Sequence, residues 1–184
     1  CPSNKVLTSF SYGLNFIYLA APLDTTKFQQ IKETPRKENQ VVYIGRDSFE
    51  KGTDILRNIE SKINGKVVYC TNVSWSEAMQ TLKESSLMVV PSRMESLPQV
   101  IKEAFYLKTP VVATSVGGIP EIITHNENGI LVPPNEPEKL VTAINDILTN
   151  RELRDKLVKN AYDYIIKNFA WDVLLPKYIE LYEK

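Results

Sequence analysis

Cysteine and histidine are scarce in this 184-residue chain, and long apolar runs are missing. Two cysteines, Cys1 and Cys70, make no disulfide framework, so a reducing compartment is expected. Cys70 reads as a buried core thiol, since no base stands beside it. With a single histidine, His125, no Ser-His-Asp or Cys-His arrangement can be drawn. The same shortage argues against a zinc site. No run approaches the roughly 18–20 apolar residues that span a bilayer. The stretch 14–23, LNFIYLAAPL, reads as a strand plus a turn. No basic start precedes an apolar core, so no signal peptide is expected, and a cytoplasmic location follows, including the inner face of a membrane. Charge excess is lacking too: 22 basic residues balance 22 acidic ones, against the basic surplus of a general nucleic-acid binder. A GxGxxG dinucleotide fingerprint is absent. The chain does not open on methionine, and we expect a piece of a longer protein or a processed form.

What is present is a regular alternation. Five short apolar runs occupy residues 41–45 (VVYIG), 66–70 (KVVYC), 87–91 (LMVVP), 110–114 (PVVAT) and 130–133 (ILVP). They are continuous in hydrophobicity, as strands buried on both faces of a parallel sheet are. Between them, residues 54–63, 76–85, 97–107 and 120–124 carry apolar side chains at helical spacing. Helices over 136–149, 151–168 and 172–183 follow. The order predicts an α/β fold: a Rossmann-like parallel sheet flanked by helices, with ligands at the carboxyl ends of the strands. Capping signatures mark several helix starts: Ser74 or Ser76 before Glu77, Ser96 with Gln99 around Pro98, and Asn135 with Glu138 around Pro137. Residues 29–40, QQIKETPRKENQ, read as a linker or surface loop. A boundary near residues 22–24 would leave 1–22 as the remnant of a preceding domain and hinge, with one domain over 23–170 and a closing helix over 171–184.

Chemistry concentrates at the strand-to-helix corners. Glu95 and Glu103 lie eight residues apart, one just outside the expected helix and one two turns inside it. A carboxylate accepts hydrogen bonds from a vicinal diol. The free N–H groups of Leu97 and Gln99 would favour a phosphate at the helix start. Two surface acids would look the same at this spacing. In YIGRDSFEKG, Arg46 and Lys51 flank a turn at a strand end and could neutralise a diphosphate; a solvated pair near Asp47 and Glu50 is the alternative. Gly117 and Gly118 permit either a close approach to a ligand or a plain turn. Glu121 could simply complement a helix dipole, and His125 reads as a cap or surface residue.

Taken in order, these segments resemble family 4 retaining glycosyltransferases of the GT-B fold. GRDSFEKG resembles that family's GRxxxxKG motif, and PSRMESLPQVIKEAF its PSxxE(x7)E-A motif. TPVVATSVGGIPEII and NGILVPPNEPEKL resemble the two segments that follow, and FAWDVLLPKYIELYEK the closing crossover helix. The resemblance implies the donor-binding C-terminal half of such an enzyme, taking a UDP- or GDP-sugar as substrate, with no metal and no other cofactor. It places Arg46 and Lys51 on the diphosphate, where they also stabilise the leaving group. It places Glu103 on the ribose, and Glu95 with Ser96, Leu97, Pro98 and Gln99 against the sugar, Gly117 and Gly118 completing the donor site. Arg46, Lys51 and Glu95 are the catalytic candidates. The acceptor site would belong to an N-terminal domain, through which any membrane association would also come. Alone, this half is expected to bind donor weakly and to transfer nothing.

The chain departs from the family pattern in two places within this half. KVVYCTNVSW leads straight into a helix, which puts the usual base-binding wall around residues 70–74 in question, and Leu107-Lys108 stands where a small residue and Gly are common. Two further readings keep the fold: a non-catalytic nucleotide-sugar-binding module, and a sugar-nucleotide epimerase. A response-regulator-like module would need an acidic pocket where Gly45-Arg46 stands.

Overall fold

Five runs of β-branched residues form five parallel strands in a computed structural model that describes residues 21–183. They are β1 (Gln40–Ile44), β2 (Lys66–Cys70), β3 (Leu87–Val90), β4 (Val111–Thr114) and β5 (Ile130–Val132). Every residue of β3 and β4 is buried, which is why their sequences show no polar alternation. Because successive side chains point to opposite faces, Val41 and Tyr43 join one core and Val42 the other. The first core also takes Leu56 of α1 (Thr53–Ile59) and Ile144 of α5 (Pro137–Thr149). The second takes Leu82 of α2 (Trp75–Glu84), Phe105 of α3 (Gln99–Tyr106), Ile122 of α4 (Ile119–Ile122), Ile165 of α6 (Arg151–Phe169) and Leu174 of α7 (Trp171–Tyr182). Each fully buried aliphatic side chain contributes roughly 1.5–3 kcal/mol.

The sheet order is β2-β1-β3-β4-β5. The chain steps outward from β1 to β2, then crosses to the other side of β1 to form β3. Above that reversal, connections leave β1 and β3 in opposite directions and open a crevice at their carboxyl ends. The topology thus puts the GRDSFEKG and PSRMES corners side by side.

Two helix starts differ from expectation, for one reason. The N-cap of α3 is Pro98, extended at φ −70° and ψ 119°, not Ser96. A proline disfavours helical conformation in the residue before it, and Leu97 stays outside the helix. Likewise α5 begins at Pro137 behind Glu136, while Asn135 takes a left-handed turn at φ +58°. Of the two cap candidates before Glu77, Ser74 is the one used, and it forms a capping box with Glu77.

Residues 31–38 hold no regular element, as expected for a loop, yet they are pinned to the domain. Ile31 is buried, and Gln80 accepts from the Lys32 N–H at 2.9 Å. Arg36 reaches beneath the sheet to the Ser85, Leu107 and Lys108 carbonyls and the Thr109 hydroxyl at 2.5–3.0 Å. These are the carboxyl ends of α2 and α3. Lys108, where the family resemblance leads one to expect Gly, does take a left-handed φ of +58°. The expected domain remnant over 1–22 lies outside the described residues except for its last two. At that edge the Leu23 N–H donates to the Phe169 carbonyl at 2.8 Å, where α6 ends.

Lys102 on α3 is fully buried, with Nζ donating to the Ala21 carbonyl at 2.7 Å and lying 5.1 Å from the Phe169 ring centre. Burial pulls its ammonium down to about 8, with Glu103 pulling the other way. The unfolded chain therefore keeps a proton that the folded one has released, so Lys102 adds stability as pH rises from about 8 to its ordinary value near 10.5. The gain is at most about 3 kcal/mol. Urea unfolding of wild type and Lys102→Met across that interval should show the difference moving in favour of wild type; a flat difference would mean that Lys102 titrates normally.

Candidate functional site

The turn after β1 is shaped by neighbours that leave Arg46 available. Asp47 is taken by Arg57, at 2.6 and 3.1 Å, and by the Thr53 hydroxyl at 2.6 Å; the Arg57 hydrogen bonds hold its carboxyl below the usual range. Arg46 is exposed and holds no ion-pair partner among the described residues. Its carbonyl accepts from the Tyr43 hydroxyl at 2.6 Å, and burial pushes that phenol up to about 12. Lys51 reaches across to the next corner and pairs with Glu95, Nζ to Oε1 at 2.6 Å. The Ser92 hydroxyl donates to the same oxygen at 3.1 Å, and the Glu95 side chain is only 8% exposed.

Two glycines let these corners close. A Cβ on Gly52, at φ +68°, would lie 2.0 Å from the Pro91 carbonyl oxygen. One on Gly117, at φ +52°, would lie 1.7 Å from that of Glu95. The close approach of Gly117 is therefore to the protein's own backbone, which it uses to seat Glu95. Arg93 locks the corners from outside, bidentate on Asp54 at 2.7 Å and stacked 3.9 Å from the Phe49 ring centre.

Glu103 lies one turn inside α3, nearer its start than expected because the helix begins at Gln99. Its Oε1 accepts from the Trp75 indole N–H at 2.8 Å. Burial raises its pKa, while the indole hydrogen bond and Lys102 work the other way. Glu103, Arg46 and Trp75 line one cavity of about 340 Å³ with Gly45, Cys70 and Asn72. The Cys70 thiol is pushed up by burial and is no nucleophile there.

The structure thus joins Arg46 to Glu103 in one cavity and Lys51 to Glu95 in one ion pair at the same edge of the sheet. Of the intervening residues, Ser96 and Gln99 are exposed and Leu97 packs against the core. Gly118 is the N-cap of α4. His125 accepts from the Leu131 N–H at 3.1 Å, a structural role. Sequence reasoning missed Trp75, Ser92 and Arg93. The Ser74–Glu77 capping box was the available signal for Trp75, because it puts position 75 at the first helical residue above the ligand edge. Two larger cavities, of about 430 and 460 Å³, lie at the opposite edge around Arg36 and Lys108. Arg36 is spent there on backbone carbonyls, so chemistry rather than size selects the smaller one. Among the described residues no cluster of His, Cys, Asp or Glu could hold a metal ion, and no helix is long and apolar enough to cross a membrane.

The family described as "Glycosyl transferases group 1" matches residues 56–164, more than half of the chain. An uncharacterized glycosyltransferase of Methanocaldococcus jannaschii is 26% identical over 175 residues, covering 79% of this chain and 45% of that protein. Sucrose-phosphate synthase from Thermosynechococcus elongatus shares the fold with a TM-score of 0.73 at 24% identity, over 89% of this chain and 49% of that one. Anabaena HepE, solved in complex with UDP-glucose, gives a TM-score of 0.72 at 20% identity over 79% and 49%. The chain spans less than half the length of each of these relatives.

Proposed function

The chain belongs to the glycosyl transferases group 1 family, and from that premise we propose that it supplies the donor-binding half of a retaining glycosyltransferase that uses a nucleotide-diphosphate sugar. One observation carries the reading: Arg46 and Glu103, from different corners, line a single cavity at the sheet's switch point, with the Lys51–Glu95 pair at the same edge. That HepE was solved with UDP-glucose supports a sugar nucleotide as the ligand class.

Each group has a task its chemistry suits. Glu103 accepts from the ribose hydroxyls with the oxygen that Trp75 leaves over. Arg46 contacts the diphosphate with its planar donor fork. Lys51 has three donors; one is held by Glu95, and two remain for phosphate oxygens. Glu95 thereby pre-orients the lysine, and its Oε2 accepts from a sugar hydroxyl beside the backbone of Ser96, Leu97, Pro98 and Gln99. Gly117 and Gly118 complete the wall behind it. As the sugar leaves, Arg46 and Lys51 face the charge that develops on the diphosphate, and no metal is needed for that stabilisation. The acceptor is bound by a further domain, preceding residue 23, and the closing helix Trp171–Tyr182 serves the junction between the two halves. The isolated half binds donor without transferring sugar.

Calorimetry with UDP, GDP and ADP, and with their nucleosides, tests this. Glu103→Ala should weaken both nucleosides and diphosphates by about tenfold or more, the scale of a hydrogen bond to a charged group. Arg46→Ala should weaken diphosphates by a similar factor and nucleosides hardly at all. Equal losses for both ligand types on Arg46→Ala would remove the diphosphate assignment; unchanged affinity on Glu103→Ala would remove the ribose assignment.

A further inference from the structure

We propose that Trp75 is a positioning residue of the nucleotide site: its indole N–H aims the Glu103 carboxylate and keeps it an acceptor for the ribose diol. The inference rests on the ribose role of Glu103 argued above and adds to it a residue that acts through that carboxylate.

Trp75 is built to hold one orientation. As the first residue of α2 it follows the Ser74–Glu77 capping box, closed by Glu77 N to Ser74 Oγ at 3.3 Å and Ser74 N to Glu77 Oε2 at 3.0 Å. Its ring meets Phe28 edge-on, with centroids 5.2 Å apart, and Phe28 packs on Tyr106 of α3 at 4.6 Å. The indole is thus braced through Phe28 against Tyr106, and its N–H meets Glu103 Oε1 at 2.8 Å. An indole is a donor only, so this bond exists to the carboxylate acceptor and fixes which oxygen is spent. The other oxygen keeps its lone pairs for hydroxyl donors.

The protonation state of Glu103 matters because a protonated carboxyl loses acceptor capacity. Burial favours the neutral acid, and the indole opposes it. The other titratable groups around Glu103 are Lys102 on its own helix, Lys27 in the turn over Thr25–Gln30, Arg46 after β1 and the Cys70 thiol at the end of β2. Both lysines act on Glu103 in the same direction as the indole. Loss of the N–H therefore shifts Glu103 toward its protonated form, and affinity for a diol weakens as pH falls through a higher range than in wild type.

The test is Trp75→Phe in the 184-residue chain, which keeps an aromatic ring against Phe28 and removes the donor. Whichever of UDP, GDP and ADP binds wild type is titrated by calorimetry from pH 5 to 8, together with its 2′-deoxy analogue. We expect about tenfold weaker binding of the ribonucleotide at pH 7, an acid limb moved to higher pH, and no further loss for the deoxy analogue. The ligand's own phosphate titration is common to both proteins and cancels in the ratio. Equal losses for the ribo and deoxy ligands, or an unmoved acid limb, would mean that Trp75 only packs. Glu103→Ala measured alongside separates the two claims: if it binds like wild type, the ribose reading fails; if it is weak while Trp75→Phe binds like wild type, only the positioning role fails. A readout that leaves Trp75 in place covers a misfolded Trp75→Phe. The chain has two tryptophans, so the Trp75 indole ¹⁵N–H signal is the one retained in Trp171→Phe. It should move with acid titration and again on adding nucleotide; insensitivity to both overturns the proposal.

Discussion

Replacing Gly117 with alanine is expected to destabilise the protein by about 2–4 kcal/mol and to weaken nucleotide binding at the same time. The new Cβ would sit 1.7 Å from the Glu95 carbonyl oxygen and 2.7 Å from its carbonyl carbon. Both are backbone atoms, so no rotamer change can relieve the contact. The left-handed φ of +52° adds roughly 1 kcal/mol for any residue with a Cβ. Either the turn after β4 opens or the segment carrying Glu95 moves. In both cases the 2.6 Å pair with Lys51 is lost, and with it the alignment proposed for the diphosphate. Urea denaturation and calorimetry read the two effects separately. A midpoint equal to that of wild type would show that the turn yields freely and that Gly117 does not seat Glu95.

The second large effect is expected at the other edge of the sheet, without any change in binding. Arg36→Met keeps the aliphatic stem but strips the donors from the Ser85, Leu107 and Lys108 carbonyls and from the Thr109 hydroxyl. Thr109 in turn donates to the Leu82 carbonyl at 3.0 Å, so the loss spreads through a small network. Partly buried acceptors left without partners cost about 1–3 kcal/mol each. With some replacement by water, a total near 3 kcal/mol is expected, lowering the melting temperature by about 6–12 °C for a chain of this size. Nucleotide affinity should match wild type, because Arg36 lies beneath the strands and the ligand corner lies above them. A melting temperature within a degree or two of wild type would show the arginine to be ornamental. A fall in affinity would show that the two edges are coupled.

These cases mark where a linear reading succeeds and where it stops. The strand over Lys66–Cys70 is legible to the residue, and the other four to within one. The inner strands Leu87–Val90 and Val111–Thr114 are buried on both faces and so show no polar alternation, and the edge strand Lys66–Cys70 shows the same kind of run although only Val67 and Cys70 in it are buried. A cap before Glu77 is legible too, though the structure decides for Ser74 over Ser76. The Ser96 cap fails although its pattern looks as good, because Pro98 disfavours the helical conformation at Leu97 and the helix starts only after it. The Glu95–Glu103 spacing meant little until the helix start was known. Arg36 hid in a polar stretch that reads as linker, and Trp75 in a segment whose relation to the ligand wall was in question. Nothing near either residue names its partner.

Hydrophobic order along the chain was enough to dictate a parallel α/β sheet, since burial on two faces and on one face leave different periodicities. That order also implied a ligand edge at the strand ends. It could not say which corners adjoin. The reversal between β1 and β3 did that, bringing Lys51 to Glu95 and Arg46 into one cavity with Glu103. Contacts between residues dozens of positions apart depend on strand order and on backbone separations of an ångström or two, and neither leaves a mark on composition or spacing.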